Sequence, residues 1–339
     1  MQMNKYIVEA KDLKVHFKIR GSFISGLLNK DDKVVKAVDG VNLGIKKGEI
    51  VSLVGESGSG KTTAGRAILN LQQHEGELKF DNEVYKFNDK TWLKNFRKRA
   101  QMIFQDPYQS LNPKYMIIDV VSEPLRLIDK HLTQSEIKDK TIQALEFAGL
   151  KPGEDYIYRY PHELSGGQRQ RVAIAAVFIV SPEFIVADEP VSMLDASIRA
   201  DIVKLMYEMK EQKGTSYLFI THDLSLAWLI SDRIAIMYLG KIVEIGPADI
   251  ISGDCKHPYT QALVSVLSNV DVDNKREKIV LKGETPSPVD LPKGCRFHPR
   301  CPNVKPKCTE EEPELRELGK DQLVACHYPD RILKFVGEK

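Results

Sequence analysis

The chain has 339 residues, 42% of them hydrophobic, with 49 basic and 47 acidic side chains and a net charge of +2. That length buries a substantial core and leaves room for two or three domains, while the balanced charge gives no global field to attract nucleic acid or an anionic membrane surface. The apolar run at 172–180 spans nine residues, far short of the roughly 20 that cross a bilayer, and residues 1–5 carry no apolar signal region.

Residues 6–17 and 34–46 alternate apolar and polar side chains, as in Lys14-Val-His-Phe17 and Val41-Asn-Leu-Gly-Ile45. The pattern predicts an antiparallel, half-exposed sheet edge. Between them, 18–33 reads as a loop with a short amphipathic piece, Ile24, Leu27 and Leu28, ahead of Lys30-Asp-Asp-Lys33. A buried strand follows at 50–54, in Glu49-Ile-Val-Ser-Leu-Val-Gly55, and runs into Gly55-Glu-Ser57-Gly58-Ser59-Gly60-Lys61-Thr62-Thr63. This fits G-x-x-x-x-G-K followed by Ser or Thr, a loop that cradles phosphates. Ser57 to Gly60 supply a turn that a polyphosphate can approach closely, because glycine lacks a Cβ. A helix predicted over 61–71 aims its first N–H groups and partial positive charge at the ligand. Lys61 would reach the β- and γ-phosphates and the Thr62 hydroxyl a Mg²⁺ ion. A ligand-free Gly/Ser turn is the bland alternative, and Lys-Thr at the right place weighs against it.

A core strand at 101–104 ends at Gln105, and residues 108–182 interrupt the core with helix and turn signals, including helices at 134–148 and 168–180. Within that stretch Leu164-Ser165-Gly166-Gly167-Gln168 precedes a helix, so hydroxyl, glycine amides and helix N-terminus make a second anion site. The strand at 184–187 closes as Phe184-Ile-Val-Ala-Asp188-Glu189. Asp188 suits a hard cation, and Glu189 is placed to act as general base on an attacking water. Helices at 196–212 and 224–231 flank a last core strand at 217–221, which ends at His222.

The loop at 55–62, LSGGQ at 164–168 and an Asp-Glu pair 20 residues beyond it together resemble the ATP-binding subunit of an ATP-binding-cassette (ABC) transporter. The resemblance implies an α/β fold: a P-loop NTPase, RecA-like core with an antiparallel β subdomain and an inserted α-helical subdomain. It implies ATP as substrate with Mg²⁺, held by Thr62, Gln105 and Asp188. Gln105 would sense the metal and γ-phosphate, and His222 would be the switch histidine that hydrogen-bonds the γ-phosphate. Phe17 would stack on adenine, an ordinary core aromatic being its alternative. Ser165, Gly166, Gly167, Gln168 and Asp195 would act in trans, closing over ATP held by a second cassette. Two departures are visible, Ala176 where a basic residue is common and Met193 where alanine is usual; neither touches the phosphate chemistry.

Near Ile250 the chain turns proline-rich and carries all five cysteines, Cys255, Cys295, Cys301, Cys308 and Cys326. The expected organisation is a nucleotide-binding domain at 1–250, its helical subdomain near 108–182, and a small Cys-containing C-terminal appendage at 251–339. The last four cysteines follow C-x5-C-x6-C-x17-C, with Pro302 after Cys301. Four thiolates suit an iron–sulfur cluster or Zn²⁺, and a Cys-Pro step recurs at cluster sites. Free structural thiols are the third reading. Cys255 stands apart; His298 and His327 are spare ligands. So short and polar a stretch is expected to need a metal centre to fold, remote from the γ-phosphate and without redox work.

Asp106-Pro-Tyr-Gln-Ser-Leu-Asn-Pro113, His257-Pro-Tyr-Thr260 and Gly294-Cys-Arg-Phe-His-Pro-Arg-Cys301-Pro302 resemble the oligopeptide/dipeptide (and nickel) importer branch. Tyr108 and the segment before Gln105 look like the F member of its D/F ATPase pair. This resemblance implies a 4Fe–4S cluster on the four cysteines, with Zn²⁺ as alternative. It implies two transmembrane permeases, a second ABC ATPase (a sister chain or another copy), and indirect work with a solute-binding protein. The subunit would lie peripherally on the cytoplasmic face of the membrane, driving uptake of peptides, oligosaccharides or nickel, with no nucleic acid. A soluble cassette ATPase acting on DNA or ribosomes is the competing class, but tandem cassettes and a long coiled coil are both missing. A non-hydrolysing regulatory cassette would lack Glu189 or His222.

Overall fold

The computed structural model describes residues 6–19, 33–106, 111–267, 278–319 and 321–329. Most of the expected loop at 18–33, and Tyr108, lie outside the described residues. The chain opens with β1 (Tyr6–Ile19), β2 (Lys33–Lys46), β3 (Ile50–Val54), α1 (Lys61–Ile68), β4 (Glu75–Phe80) and β5 (Glu83–Val84). It continues through α2 (Lys90–Arg99), β6 (Ala100–Ile103), α3 (Ile117–Ile128), α4 (Gln134–Phe147), α5 (Gly166–Phe178), β7 (Phe184–Asp188) and α6 (Ala196–Lys213). It closes with β8 (Ser216–Thr221), α7 (Leu224–Ile230), β9 (Arg233–Tyr238), β10 (Lys241–Pro247), α8 (Ala248–Gly253), α9 (Pro258–Ser265), α10 (Pro306–Glu310), β11 (Arg316–Gly319) and β12 (Gln322–Val324). None of the described helices is long and apolar enough to cross a membrane. Two compact units are distinguished, one of Met1–Ile7, Ile45–Glu49 and Phe80–Phe219, the other of Val8–Gly44, Ile50–Lys79 and Ile220–Lys339.

In the first unit β8, β7 and β6 lie side by side in that order. The β6–β7 ladder is parallel, with Ala100 opposite Phe184 and Ile103 opposite Ala187. Every residue of β7 is buried, which is why it reads as a continuous apolar run rather than an alternation. Helices α3, α4 and α5 pack on one another within the stretch read as helical. A reciprocal capping box opens α4: Thr133 N–H donates to Glu136 Oε2 at 2.8 Å, and Glu136 N–H to Thr133 Oγ1 at 3.3 Å. Helix α2 was not anticipated, because Phe96 is its only buried residue and charge masks the apolar period. Its signals are the Asp89 cap and the i, i+4 pair Trp92 and Phe96, stacked 8° from parallel at 5.1 Å.

In the second unit β3 runs parallel to β9, Val51 opposite Arg233 and Val54 opposite Ile236. β9 and β10 form an antiparallel hairpin, turned at Leu239 and Gly240, with φ of 43° and 82°. Two successive left-handed residues match the right-handed twist of the strands. β2, β1 and β4 are neighbours in a separate sheet. Helix α1 stops at Ile68, short of the 61–71 read from the sequence, because Asn70 turns left-handed at φ 54° and ends the helical run.

The C-terminal appendage carries strands of its own: β12 joins the edge of β10, Glu244 opposite Val324 and Ile245 opposite Leu323, and β11 pairs with β12. It also buries an aromatic side chain. Phe297, 1% exposed, meets Tyr238 edge-on at 5.4 Å and 89° and Tyr259 at 5.4 Å, inside a buried cluster with Ile236, Val243 and Ile251. Each such side chain contributes about 1.5–3 kcal/mol of transfer free energy.

Candidate nucleotide site and thiol cluster

The turn after β3 has the geometry of a phosphate cradle. Gly58 and Gly60 hold φ of 78° and 104°, a region costly for residues with a Cβ. A Cβ on Gly60 would stand 2.0 Å from the Ala37 carbonyl oxygen, and one on Gly55 2.2 Å from that of Met237. A Cβ on Gly58 would meet nothing within 4 Å, so open space lies where a ligand can approach the turn. Buried Lys61, at the first position of α1, donates Nζ to the Gly55 and Glu56 carbonyls at 2.8 and 2.9 Å. Ser59 Oγ is buried with no hydrogen-bond partner among the described residues. A retained ammonium, a leftover hydroxyl and a cradle of glycine amides fit a polyphosphate. Thr62 and Thr63 follow, half-buried, on α1. Phe17, near the end of β1, is 39% exposed, which disfavours the core-aromatic alternative. Its neighbour His16 bonds Asp39 at 2.9 Å.

In the other unit Asp188 is buried at the end of β7, and Glu189 follows in a left-handed conformation, φ 45°. Backbone strain of this kind concentrates at functional sites. Gln105, in the bend after β6, donates Nε2 to Glu189 Oε2 at 3.2 Å; these two expected site residues are brought together. Sequence reading missed Gln170, buried on α5, whose Nε2 donates to the Pro190 carbonyl at 2.7 Å and ties the signature helix to the acidic turn. Its only signal is a polar side chain on the buried face of an apolar helix.

Ser165 and Gln168 spend their side chains on each other. Ser165 N–H donates to Gln168 Oε1 at 2.9 Å, and Gln168 N–H to Ser165 Oγ at 3.3 Å, a capping box at the start of α5. A Cβ on Gly167 would come 2.7 Å from Ile198 Cδ1 on α6; Gly167 allows this close approach. Asp195 caps α6, accepting from Ile198 N–H at 3.1 Å and Ser197 Oγ at 2.8 Å. Those donors hold its carboxyl below the usual range. His222, exposed, lies between the end of β8 and Asp223, which caps α7 by accepting from Ser225 and Leu226 N–H at 3.0 and 3.1 Å.

A family model described as ABC transporter matches residues 38–192, and one described as oligopeptide/dipeptide transporter, C-terminal region, matches 243–308. The chain is 46% identical to the oligopeptide transport ATP-binding protein AppF of Bacillus subtilis, over 95% of this chain and 97% of that protein. The chain belongs to the ABC transport ATPases. Among them it is 40% identical to the dipeptide transport ATP-binding protein DppF of Escherichia coli, over 96% of this chain and 95% of that one. The fold is that of the solved ABC cassettes: a post-hydrolysis cassette dimer bound to ADP and Pi superposes with a TM-score of 0.62 at 30% identity, covering 71% of this chain and 98% of that chain. The P-loop NTPase core and the ATP-hydrolysing activity follow from this membership.

The ABC ATPase carries its four late cysteines on one cavity. Cys295, Cys301, Cys308 and Cys326 line a space of about 20 Å³ with His298 and His327, while Cys255 lies off it. Cys295, Cys301, Cys308 and Cys326 form no disulfide. Tyr328 N–H points at Cys326 Sγ at 3.4 Å, and the amides of Phe297 and Asn303 point likewise at Cys295 and Cys301. Burial pushes the Cys295 thiol up to about 12 and that of Cys301 up to about 11, the neighbouring sulfurs adding to it. The two histidines are occupied, His298 Nδ1 with the Cys295 carbonyl and His327 Nε2 with that of Glu311, each at 2.9 Å. Among the described residues no three His, Cys, Asp or Glu side chains stand in a metal-binding array. The donor chemistry of four thiols suits a thiolate-bound centre.

The appendage reaches the phosphate loop through an arginine. Arg300, next to Cys301, donates Nη1 to Glu56 Oε2 at 2.9 Å and Oε1 at 3.2 Å, and Glu56 follows Gly55 in the loop. Arg296 makes a second anchor, to Asp39 and the Leu239 carbonyl.

Proposed function

We propose that this ABC ATPase is the motor of a peptide importer, hydrolysing ATP at a shared interface with a second cassette to drive uptake through two partner permeases. The observation that carries the reading is the loop itself: left-handed Gly58 and Gly60, with Lys61 held by the carbonyls of Gly55 and Glu56. Lys61, Thr62 and the amides of 57–63 bind the phosphates, and Phe17 stacks on the base. By family resemblance, Thr62, Gln105 and Asp188 would hold Mg²⁺. Glu189 is the base toward water, and His222 bonds the γ-phosphate. Ser165, Gly166, Gly167, Gln168 and Asp195 act on nucleotide held by the partner cassette. Peptides are the substrate class because the relatives are named for oligopeptide and dipeptide transport. Permease contact at the cytoplasmic membrane face is supported by Tyr115, Leu127 and Tyr158, large side chains 52–65% exposed in the helical stretch; exposed apolar groups of this size suit a docking face. The proposed division is a nucleotide-binding domain at 1–250 and an extension at 251–339.

In that extension Cys295, Cys301, Cys308 and Cys326 would hold a structural metal centre, a 4Fe–4S cluster by family resemblance, with Zn²⁺ the alternative. The amide donors on three sulfurs support thiolate character there. Such a centre would cross-link the tail and supply no redox step.

The test of the motor is association. Specific ATPase activity should rise with protein concentration or on adding a sister ATPase, and mixing Lys61→Ala with Ser165→Arg chains should restore part of the activity that each lacks. A demonstrably monomeric sample with concentration-independent turnover would refute the shared site.

A further inference from the structure

Glu56 is the first variable position of the phosphate loop, and the appendage grips it at three points. Its carboxylate accepts from Arg300 Nη1 at 2.9 and 3.2 Å and from Thr285 Oγ1. Arg300 also donates to Thr285 Oγ1 at 3.1 Å, closing a triangle. The Glu56 N–H donates to Tyr259 Oη at 3.1 Å. From inside the loop, the Glu56 carbonyl accepts from Ser59 N–H at 3.2 Å and Lys61 Nζ at 2.9 Å. Residue 56 is thus a hub, with the loop's own turn on one side and residues 259, 285 and 300 on the other.

The grip is built rather than incidental. Arg300 is only 10% exposed at its side chain, and its guanidinium carbon lies 6.0 Å from the centre of the Tyr238 ring. Its backbone is fixed in a tight turn, Arg300 N–H to the Phe297 carbonyl at 3.0 Å and Cys301 N–H to that of His298 at 3.2 Å. Phe297 anchors that turn in the buried aromatic cluster. An exposed ion pair contributes little to stability. One that is charge-assisted, mostly desolvated and shared with a hydroxyl is stronger and geometrically selective.

We propose that Arg300 is a positioning residue of the nucleotide site: through Glu56 it holds the phosphate-loop turn in its binding conformation, making the appendage part of that site. The proposal rests on the reading that this loop binds ATP. Released from Arg300 and Thr285, the Glu56–Ser59 turn samples other conformations. Apparent affinity then falls by the fraction that stays competent. Once ATP is bound the turn is ordered by its ligand, so the hydrolysis step itself is spared.

The experiment is equilibrium titration of the full chain with ATP, with steady-state ATPase alongside, for wild type, Arg300→Met, Arg300→Lys, Glu56→Gln and the double variant Arg300→Met/Glu56→Gln. Arg300→Met should weaken ATP binding about tenfold, the scale of a lost charge-assisted contact. KM should rise in step while kcat stays within about twofold. Arg300→Lys should recover part of the affinity, and in the Glu56→Gln background Arg300→Met should add little. Val324→Ala, which loosens buried tail packing away from Glu56, should leave ATP affinity intact. Unchanged affinity in Arg300→Met, full additivity in the double variant, or an equal loss in Val324→Ala would each overturn the proposal. Wild type and Lys61→Ala binding ATP equally well would instead overturn the nucleotide reading beneath it.

Discussion

Alanine at each of three loop glycines separates two kinds of backbone cost. At Gly58 the change meets no atom within 4 Å but must hold φ 78°, a left-handed penalty of about 1–2 kcal/mol. Part of that is offset by the smaller unfolded-state entropy of alanine. At Gly55 the φ is ordinary, and the new Cβ falls 2.2 Å from the Met237 carbonyl oxygen, an overpacking cost of about 1–3 kcal/mol. Gly60 combines φ 104° with a Cβ 2.0 Å from the Ala37 carbonyl oxygen, and the two penalties sum to about 2–5 kcal/mol. Thermal unfolding of the nucleotide-free chain should therefore rank Gly60→Ala lowest, Gly55→Ala next and Gly58→Ala nearest wild type. The Gly60 variant should fall by on the order of 10 °C. ATP titration should give a different order, because Gly58→Ala fills the space left for phosphate and should bind poorly while folding well. Coincident midpoints, or a Gly58→Ala chain that is the least stable of the three, would refute this account of the loop.

Glu189→Gln should cut phosphate release by at least about 10²-fold while ATP titration shows affinity unchanged; wild-type-like turnover would remove Glu189 as base. Anaerobic purification with iron, sulfide and zinc analysis should give about four irons per chain, the content of a 4Fe–4S cluster. One zinc would reassign the centre and no metal would remove it. Cys301→Ser should lower the melting temperature of the loaded chain. Burial pushes the Asp39 carboxyl up, but the Arg296 hydrogen bond and charge more than reverse it, leaving it below its ordinary 3.8. Its stabilisation is thus full above that value and is lost as pH falls through the lower folded one. Asp39→Asn should be less stable than wild type at pH 7, with the gap closing in acid unfolding as pH falls below 3.8.

The parts legible in the sequence were those with a local physical signature. Strand 50–54 coincides with β3, and 184–187 and 217–221 fall inside β7 and β8, because a strand buried on both faces must be apolar throughout. The helices at 134–148 and 196–212 carried their own caps, Thr133 and Asp195. The β9–β10 hairpin went unread although its apolar run is plain, because Leu239-Gly240 is a weak turn signal beside Asn-Gly. Glu189's left-handed backbone has no marker in composition. The grip on Glu56 was invisible for a simpler reason: Arg300 lies 244 residues away, and no periodicity reports a pair joined only by the tertiary fold. The proline-rich tail hid Phe297 among residues that promise loop.

The left-handed backbone at Glu189 sets activity against stability. Glycine there would relax a conformation worth about 1–2 kcal/mol, so Glu189→Gly should fold at least as firmly as the native chain while losing the proposed base. A screen that selects only for heat resistance or expression would favour this position at the expense of the proposed base. Selection for transport and selection for robustness therefore pull this residue in opposite directions.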